Sequence, residues 1–211
     1  ILQLNGHKPM AILRHPPVLG ILAGGALAAN YLYFLLGVQF NGPTNAAILM
    51  QLAPVLVILT GIIVFKERLL KGQITGLFTA LAGFFFFYWD KIQYVPDFES
   101  YSSGNNYLYF AAAVWVVFAS LLKKLSGHFP AQNVNLLVYG VAGLILTSGV
   151  HWEDFSNINF KNWVLLVILG LNTLIAYGAL TEAIRLIPLS LATVITITNP
   201  LFTLLTVSLV N

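Results

Sequence analysis

Seven long apolar stretches, separated by short polar or charged segments, divide this chain. A helix needs about 20 mostly apolar residues to cross the roughly 30 Å hydrocarbon core of a bilayer, and each stretch approaches that length. A backbone in lipid must satisfy its own N–H and C=O groups, as a helix does. The sequence therefore predicts an all-α membrane protein, a polytopic helical bundle. The predicted helices cover approximately residues 17–38, 43–65, 73–90, 107–122, 132–150, 163–184 and 187–210.

The scarcity of charge points to the same class. Hydrophobic residues make up 58% of the chain and charged residues only 8%, whereas a soluble domain carries about 25% charged residues. The chain has no cysteine, which excludes disulfides, thiol catalysis and cysteine metal sites. Because the first residue is Ile, we expect the sequence to begin inside a longer protein.

Lysine and arginine are divided unevenly between the two sides of the predicted bundle. When the loops are numbered alternately, eight of these residues fall on one side and only Lys91 and Lys161 on the other. Cytoplasmic loops carry an excess of Lys and Arg, so this asymmetry sets the orientation and accounts for the basic character without a nucleic-acid partner. The segments predicted to be cytoplasmic are 1–16, 66–72, 123–131 and 185–187.

An internal repeat relates residues 20–65 to residues 166–211. The matched positions include Pro54 and Pro200, each predicted to lie in the middle of its helix, where proline removes a backbone hydrogen bond and bends the helix. The two helices run in opposite directions, so the second copy is inverted. Inverted repeats with broken helices are typical of alternating-access transporters. The alternative is a coincidental similarity of two Leu/Val-rich helices.

The run from Asn45 to Val55 resembles the fourth helix of the EamA-type drug/metabolite transporters. The segments 65–69 and 73–76 are similar to the end of that helix and the start of the fifth, and 176–188 with Asn199-Pro200 resembles the eighth and ninth. The resemblance implies a bacterial protein of ten helices, arranged as two inverted five-helix repeats around a central cavity. This chain would hold helices three to nine.

The resemblance also implies a domain organisation and a function. Residues 1–90 are expected to form the first repeat without its first two helices, 91–105 an extracytoplasmic connector, and 106–211 the second repeat without its last helix. The implied function is a carrier or facilitator/exporter of a small polar metabolite or amphipathic compound, integral and multi-pass in the cytoplasmic (inner) or plasma membrane. It needs no cofactor. The expected partners are a small-molecule substrate and the bilayer, with a homodimer left open.

Polar side chains inside the predicted helices are candidates for substrate contacts, because a polar group in a bilayer is costly without a partner or a function. The competing interpretation is hydrogen bonding between helices, which Ser, Thr, Asn and Gln supply routinely, and for any single residue it is the one we favour. The predicted substrate-binding residues, including aromatic walls and the two prolines, are Asn30, Tyr31, Gln51, Pro54, Trp115, Asn172, Tyr177, Asn199 and Pro200.

We expect the charged residues near the helix ends to have structural roles. Glu67 lies at a predicted cytoplasmic helix end, where we expect a cap or a gate contact rather than a substrate contact. Glu182 and Arg185 are three residues apart on one helix and are expected to pair. No carboxylate is placed at mid-membrane, so the sequence gives little support for proton coupling.

Two glycine pairs have the spacing that lets helices approach closely. They are Gly20 with Gly24 and Gly72 with Gly76. A small residue every fourth position forms a shallow stripe on one helix face, which another helix can contact at short range. We predict that both pairs serve packing rather than binding.

Two other classes of protein compete with the transporter. A seven-helix receptor or sensor would also have seven spans, but an inverted repeat has no role in it, and no lysine lies mid-helix for a retinal Schiff base. An intramembrane enzyme is opposed by the absence of an HExxH spacing, a Gly-rich phosphate motif and a GxSxG elbow. The four histidines fall in loops or at helix ends. We predict neither an enzyme nor a metal site.

Overall fold

The computed structural model describes residues 17–68, 71–94, 98–151, 153, 155 and 158–196. Within these residues the chain is helical and contains no strand, which confirms the predicted all-α architecture. The predicted helices between residues 73 and 184 are found near their predicted positions, the first two helices are separated at 50–51 instead of 39–42, and residues 197–210 of the last one lie outside the described residues. The helices are α1 (Val18–Leu49), α2 (Leu52–Ile63), α3 (Lys71–Tyr94), α4 (Phe98–Ser126), α5 (Ala131–Thr147), α6 (Phe160–Leu186) and α7 (Leu189–Thr196).

Four segments of the described residues are long and apolar enough to cross a membrane. They are Val18–Pro43, Asn45–Ile63, Ser102–Ser126 and Phe160–Leu186. Large apolar side chains are widely exposed, for example Phe160 at 83% and Ile175 at 72% on α6. Such a surface is unfavourable in water and natural in lipid, since lipid tails are as apolar as leucine. The architecture is that of a helical membrane protein.

Gly42 interrupts α1, in the interval between the predicted helices 17–38 and 43–65. Its φ of 74° and ψ of 162° are non-helical, and glycine adopts positive φ without the steric penalty that other residues meet. Pro43 follows and has no N–H to continue the hydrogen-bond ladder. The helix therefore resumes in a new direction after a single non-helical residue.

A second interruption separates α1 from α2 at Met50 and Gln51. The sequence places Pro54 in the middle of a helix, but the structure places it in the first turn of α2. Proline is tolerated there because the first N–H groups of a helix have no intrahelical acceptor. Pro54 cannot donate to the carbonyl of Met50, which accepts instead from the N–H of Ala53 at 3.0 Å.

The contacts divide the chain into two compact units. Among the described residues, the α5–α6 unit comprises those within 17–28 and 121–186, and the α2–α7 unit those within 29–120 and 187–196. In the α2–α7 unit, α2 packs against α7, and Ala46, Leu49 and Leu108 are completely buried at the centre of a small core. The residues predicted to be a connector are largely helical, because α3 extends to Tyr94 and α4 begins at Phe98.

Close approach at Gly20 and Gly24 organises the α5–α6 unit. A Cβ atom at Gly20 would lie 2.3 Å from a methyl carbon of Leu137, and one at Gly24 would lie 2.6 Å from Cβ of Val141. This confirms the packing role predicted for the first glycine pair. A Cβ at Gly72 or Gly76 meets no described atom within 4 Å, so the described residues give the second pair no close neighbour.

Replacing Gly24 by alanine should destabilise the protein, whereas the same change at Gly25 should not. The added methyl at Gly24 meets Val141 and the carbonyl of Val138, and overpacking of this kind costs about 1–3 kcal/mol. At Gly25 a Cβ meets nothing within 4 Å, so alanine gains up to about 1 kcal/mol of helix propensity. Thermal melting of the two variants in detergent separates these effects. Equal shifts for both variants would contradict the packing argument.

Candidate functional site

A buried amide joins α1 to α4 in the α2–α7 unit. Asn30 is 5% exposed, and its Nδ2 donates to the carbonyl of Ala111 at 2.9 Å. A helical carbonyl has a second lone pair, so Ala111 can accept this bond beside its own helical one. The described contact of Asn30 is therefore a hydrogen bond between helices.

A second amide pair lies at the Gly42 kink. Nδ2 of Asn41 donates to Oδ1 of Asn105 at 2.6 Å, and both side chains are buried. Nδ2 of Asn45 donates to the backbone carbonyl of Asn41 at 2.9 Å. Oδ1 of Asn41 is buried with no hydrogen-bond partner among the described residues. It lies against Gly104, where a Cβ would come within 2.2 Å.

Gln51 occupies the break between α1 and α2. Its backbone N–H donates to the carbonyl of Ile48 at 3.0 Å, which leaves the carbonyl of Ala47 without its regular helical donor. Nε2 of Gln51 donates to that carbonyl at 3.3 Å and so fixes the orientation of the amide. Its Oε1 is buried and has no partner within the described part of the chain. A buried unpaired acceptor costs about 1–3 kcal/mol, so this oxygen is a candidate ligand contact.

The carboxylate of Glu67 caps the N-terminus of α7. Its Oε1 accepts from the N–H of Leu189 at 2.7 Å and its Oε2 from the N–H of Ser190 at 2.9 Å. The first N–H groups of a helix lack intrahelical acceptors, and a carboxylate also interacts favourably with the positive end of the helix dipole. This confirms the cap predicted for Glu67.

The backbone around Glu67 is shaped to bring the carboxylate to α7. Lys66 has a φ of 54°, in the left-handed region, and the N–H of Glu67 donates to the carbonyl of Gly61 at 3.0 Å. A Cβ on Gly61 would lie 2.8 Å from Oε2 of Glu67 and 3.6 Å from Cβ of Ser190. The glycine thus leaves the space that the carboxylate occupies between α2 and α7.

The α5–α6 unit has its own polar contacts. The hydroxyl oxygen of Thr181 lies 2.6 Å from Oδ1 of Asn135 and donates to the carbonyl of Tyr177 at 2.9 Å. The Tyr177 ring meets Tyr139 edge-on, with ring centres 5.7 Å apart. Nζ of Lys123 donates to the carbonyl of Ile184 at 2.7 Å, close to the end of α6.

Glu182 and Arg185 form the ion pair predicted from their spacing. Nη2 of Arg185 donates to Oε1 of Glu182 at 2.5 Å, and Nε donates to Oε2 at 3.0 Å. Two parallel bonds between a guanidinium and a carboxylate fix the geometry of both groups. The pair lies at the end of α6, in the α5–α6 unit.

The predicted substrate-binding residues fall into three groups. Asn30, Tyr31, Gln51, Pro54 and Trp115 belong to the α2–α7 unit, where Gln51 and Pro54 flank the same helix break. Asn172, which is exposed, and Tyr177, which is half-buried, belong to the α5–α6 unit. Asn199 and Pro200 lie outside the described residues.

Sequence reasoning missed the pair of Asn41 and Asn105 and the contact of Thr181 with Asn135. Asn41 and Asn105 were assigned to a turn and to a connector, because each lies at the edge of an apolar stretch. The usable signal was an Asn next to a Gly in both segments, as in Asn41-Gly42 and Gly104-Asn105. A small neighbour of this kind permits the close helix approach that short amide side chains need.

Comparisons with known proteins agree with this architecture. The model of the EamA-like transporter family matches residues 4–89 and 102–210. The Escherichia coli K12 protein YhbE, named an uncharacterized inner membrane transporter, is 28% identical over 200 residues, covering 93% of this chain and 62% of YhbE. An uncharacterized transporter of Haemophilus influenzae is 27% identical over 179 residues, covering 85% of this chain and 58% of that protein.

One solved crystal structure shares the fold, with a TM-score of 0.72 at 20% identity, and the alignment covers 97% of this chain and 72% of that one. The aligned part of this chain spans less than two thirds of the length of the two named bacterial relatives.

Removing one member of the Asn41–Asn105 pair should cost more than removing both. Asn105→Leu leaves the Nδ2 of Asn41 buried without its acceptor, and a buried unsatisfied polar group costs about 1–3 kcal/mol. The double variant Asn41→Leu/Asn105→Leu removes both groups and should recover part of that loss. Chemical unfolding in detergent, analysed as a double-mutant cycle, measures the coupling. Strictly additive losses would show that the amides do not interact energetically.

Proposed function

The chain is an integral membrane protein that belongs to the EamA-like transporter family, and from this premise we propose that it carries a small metabolite across the cytoplasmic (inner) membrane by alternating access. The family model matches two segments, residues 4–89 and 102–210, which supports a protein built from two copies of one helical unit. The name of the Escherichia coli relative, an inner membrane transporter, supports the choice of membrane. The chain crosses that membrane several times.

The observation that carries the proposal is the break at Gln51. Broken helices expose backbone groups in the interior of transporters, where a substrate can bind them. At this break Oε1 of Gln51 is buried and unpartnered among the described residues. Pro54, in the next helix turn, is also buried. A substrate that approaches the break meets an acceptor with no competing internal donor.

The hydrogen-bonding groups at the break between α1 and α2 determine which class of substrate can bind there. Because Nε2 of Gln51 is held by the carbonyl of Ala47, the amide offers its oxygen, and an oxygen accepts rather than donates. The substrate therefore presents an N–H or O–H group, as an amine, an amide or a hydroxyl does. No described Lys or Arg lies near the break in sequence, so the site favours a neutral or cationic polar metabolite over an anion.

The cap of Glu67 on α7 supplies a gate contact for this cycle. It joins the loop after α2, in the first predicted repeat, to the start of α7, in the second, on the side that the positive-inside rule places in the cytoplasm. Hydrogen bonds to a charged group contribute about 1.5–3 kcal/mol each. Two such bonds are strong enough to hold a closed state and weak enough to be broken during transport.

Flux measurements with the full-length protein in proteoliposomes test the substrate site. We expect selective loss of one class of amines, amides or hydroxyl compounds from a mixed metabolite pool, followed by mass spectrometry. Gln51→Leu should abolish this loss, because leucine cannot accept the substrate's hydrogen bond. Thr60→Val is the matched control, since the Thr60 hydroxyl only donates to Leu56 within α2. A folded, inserted protein that moves no solute would overturn the proposal.

Cysteine labelling tests the gate, and the chain offers no native cysteine to interfere. Ser190 is 1% exposed, and it binds Glu67 through its backbone N–H, which a cysteine retains, so Ser190→Cys should be a tolerated and protected reporter. Glu67→Gln removes the charge and places an amide donor against an N–H donor, which should accelerate labelling about tenfold, since a loss of about 1.4 kcal/mol is tenfold in an equilibrium. Glu182→Gln, at another cytoplasmic helix end, should leave labelling unchanged. Equal labelling with intact and altered Glu67 would exclude a gate.

A further inference from the structure

A polar cleft with a volume of about 460 Å³ opens where α4 turns into α5 and α6 ends. All of its lining residues belong to the α5–α6 unit, among them Ser126, Ala131, Gln132, Glu182 and Arg185. The cleft shares no residue with the helix break or with the Glu67 cap. A ligand in this cleft would therefore not depend on the proposed transport function.

The N-terminus of α5 forms one wall of the cleft and has no cap. Pro130 occupies the N-cap position and makes no side-chain cap bond. The N–H groups of Asn133 and Val134 turn back to the carbonyl of Pro130. The N–H groups of Ala131 and Gln132 have no acceptor among the described residues. Uncapped N–H groups at the positive end of a helix dipole bind anions.

A buried hydroxyl provides a second, independent indication of a ligand. Ser126 lines the cleft and is only 4% exposed, and its Oγ has no hydrogen-bond partner among the described residues. A buried hydroxyl is normally hydrogen-bonded, because leaving it unsatisfied is costly. A ligand oxygen in the cleft would satisfy it.

The charges around the cleft favour an anion. Arg185 uses two of its five donors on Glu182, and the others remain available because a guanidinium presents five N–H groups. Arg185 and Glu182 are the charged residues among the described lining, and Lys123 and Lys124, in the last turn of α4 close to Ser126 in sequence, add positive charge outside the lining. The cleft also lies where the candidate spans Ser102–Ser126 and Phe160–Leu186 both end, which is the level of lipid headgroups.

We propose that this cleft binds a phosphate group, held by the N–H groups of Ala131 and Gln132, the Ser126 hydroxyl and the Arg185 guanidinium. The combination of helix N-terminus, hydroxyl and guanidinium donors matches the oxygen acceptors of a phosphate. The phosphate belongs to a phospholipid headgroup at the membrane surface or to a soluble phosphate. Both sources present the same oxygens to the same donors.

Native mass spectrometry of the delipidated full-length protein tests the lipid source. Phosphatidylglycerol should bind, and diacylglycerol with the same acyl chains should not. Arg185→Gln and Ser126→Ala should each weaken phosphatidylglycerol binding about tenfold, as the loss of about 1.4 kcal/mol predicts. Lys124→Gln is the control, because it also removes one positive charge, from the last turn of α4, but Lys124 does not line the cleft. This variant should change phosphatidylglycerol binding less than threefold, because salt screens the interaction between a surface charge and the lipid.

Thermal melting with inorganic phosphate, against chloride at equal ionic strength, tests the soluble source. A rise in melting temperature that Arg185→Gln and Ser126→Ala abolish, without preferential phosphatidylglycerol binding, assigns the cleft to a soluble phosphate. Preferential phosphatidylglycerol binding with no phosphate effect assigns it to lipid. Either result supports the phosphate site. The proposal is overturned if neither probe is preferred, or if both variants bind like the wild type.

Discussion

A backbone group that leaves a helix inside a bilayer has no water to replace its partner, and this constraint explains where the polar side chains of the chain lie. At the Gly42 kink, Asn45 donates to the carbonyl of Asn41. At the break before α2, Gln51 donates to the carbonyl of Ala47. At the start of α7, Glu67 accepts two orphan N–H groups. At the break before α2 and at the start of α7, a side chain supplies the hydrogen-bond partner that the helix itself lacks.

Glycine accompanies the polar contacts between helices. Gly104 adjoins Asn105 in sequence and contacts Asn41 in space, and Gly61 makes room for the carboxylate of Glu67 beside Ser190. Asparagine is short, and its amide spans the gap between two helices only where their backbones approach closely. In the α2–α7 unit, the polar contacts therefore depend on the close packing of the helices, because the small residue sets the distance that the short polar side chain needs.

The sequence was sufficient for features that depend on local patterns. Apolar length predicted the helices and spacing predicted the pairing of Glu182 with Arg185, whereas for Glu67 the sequence predicted a cap or a gate contact without its partner, α7. Features that depend on how the helices align could not be predicted from the sequence. The pair of Asn41 and Asn105 depends on the register of α1 against α4. The break before Pro54 depends on which N–H group donates to each backbone carbonyl there. The roles proposed for the predicted substrate-binding residues stay predictions.

The Glu67 cap also has a consequence for the order in which the protein is made. Glu67 and Leu189 are 122 residues apart, and ribosomes add about 5–20 residues per second. The carboxylate is therefore synthesised roughly 6–25 seconds before the amide it binds, at that same rate. During this interval it must wait at the water-facing end of α2. When Leu189 is made, the acceptor for its N–H is already in place, so α7 starts on a template that the first half of the chain provides.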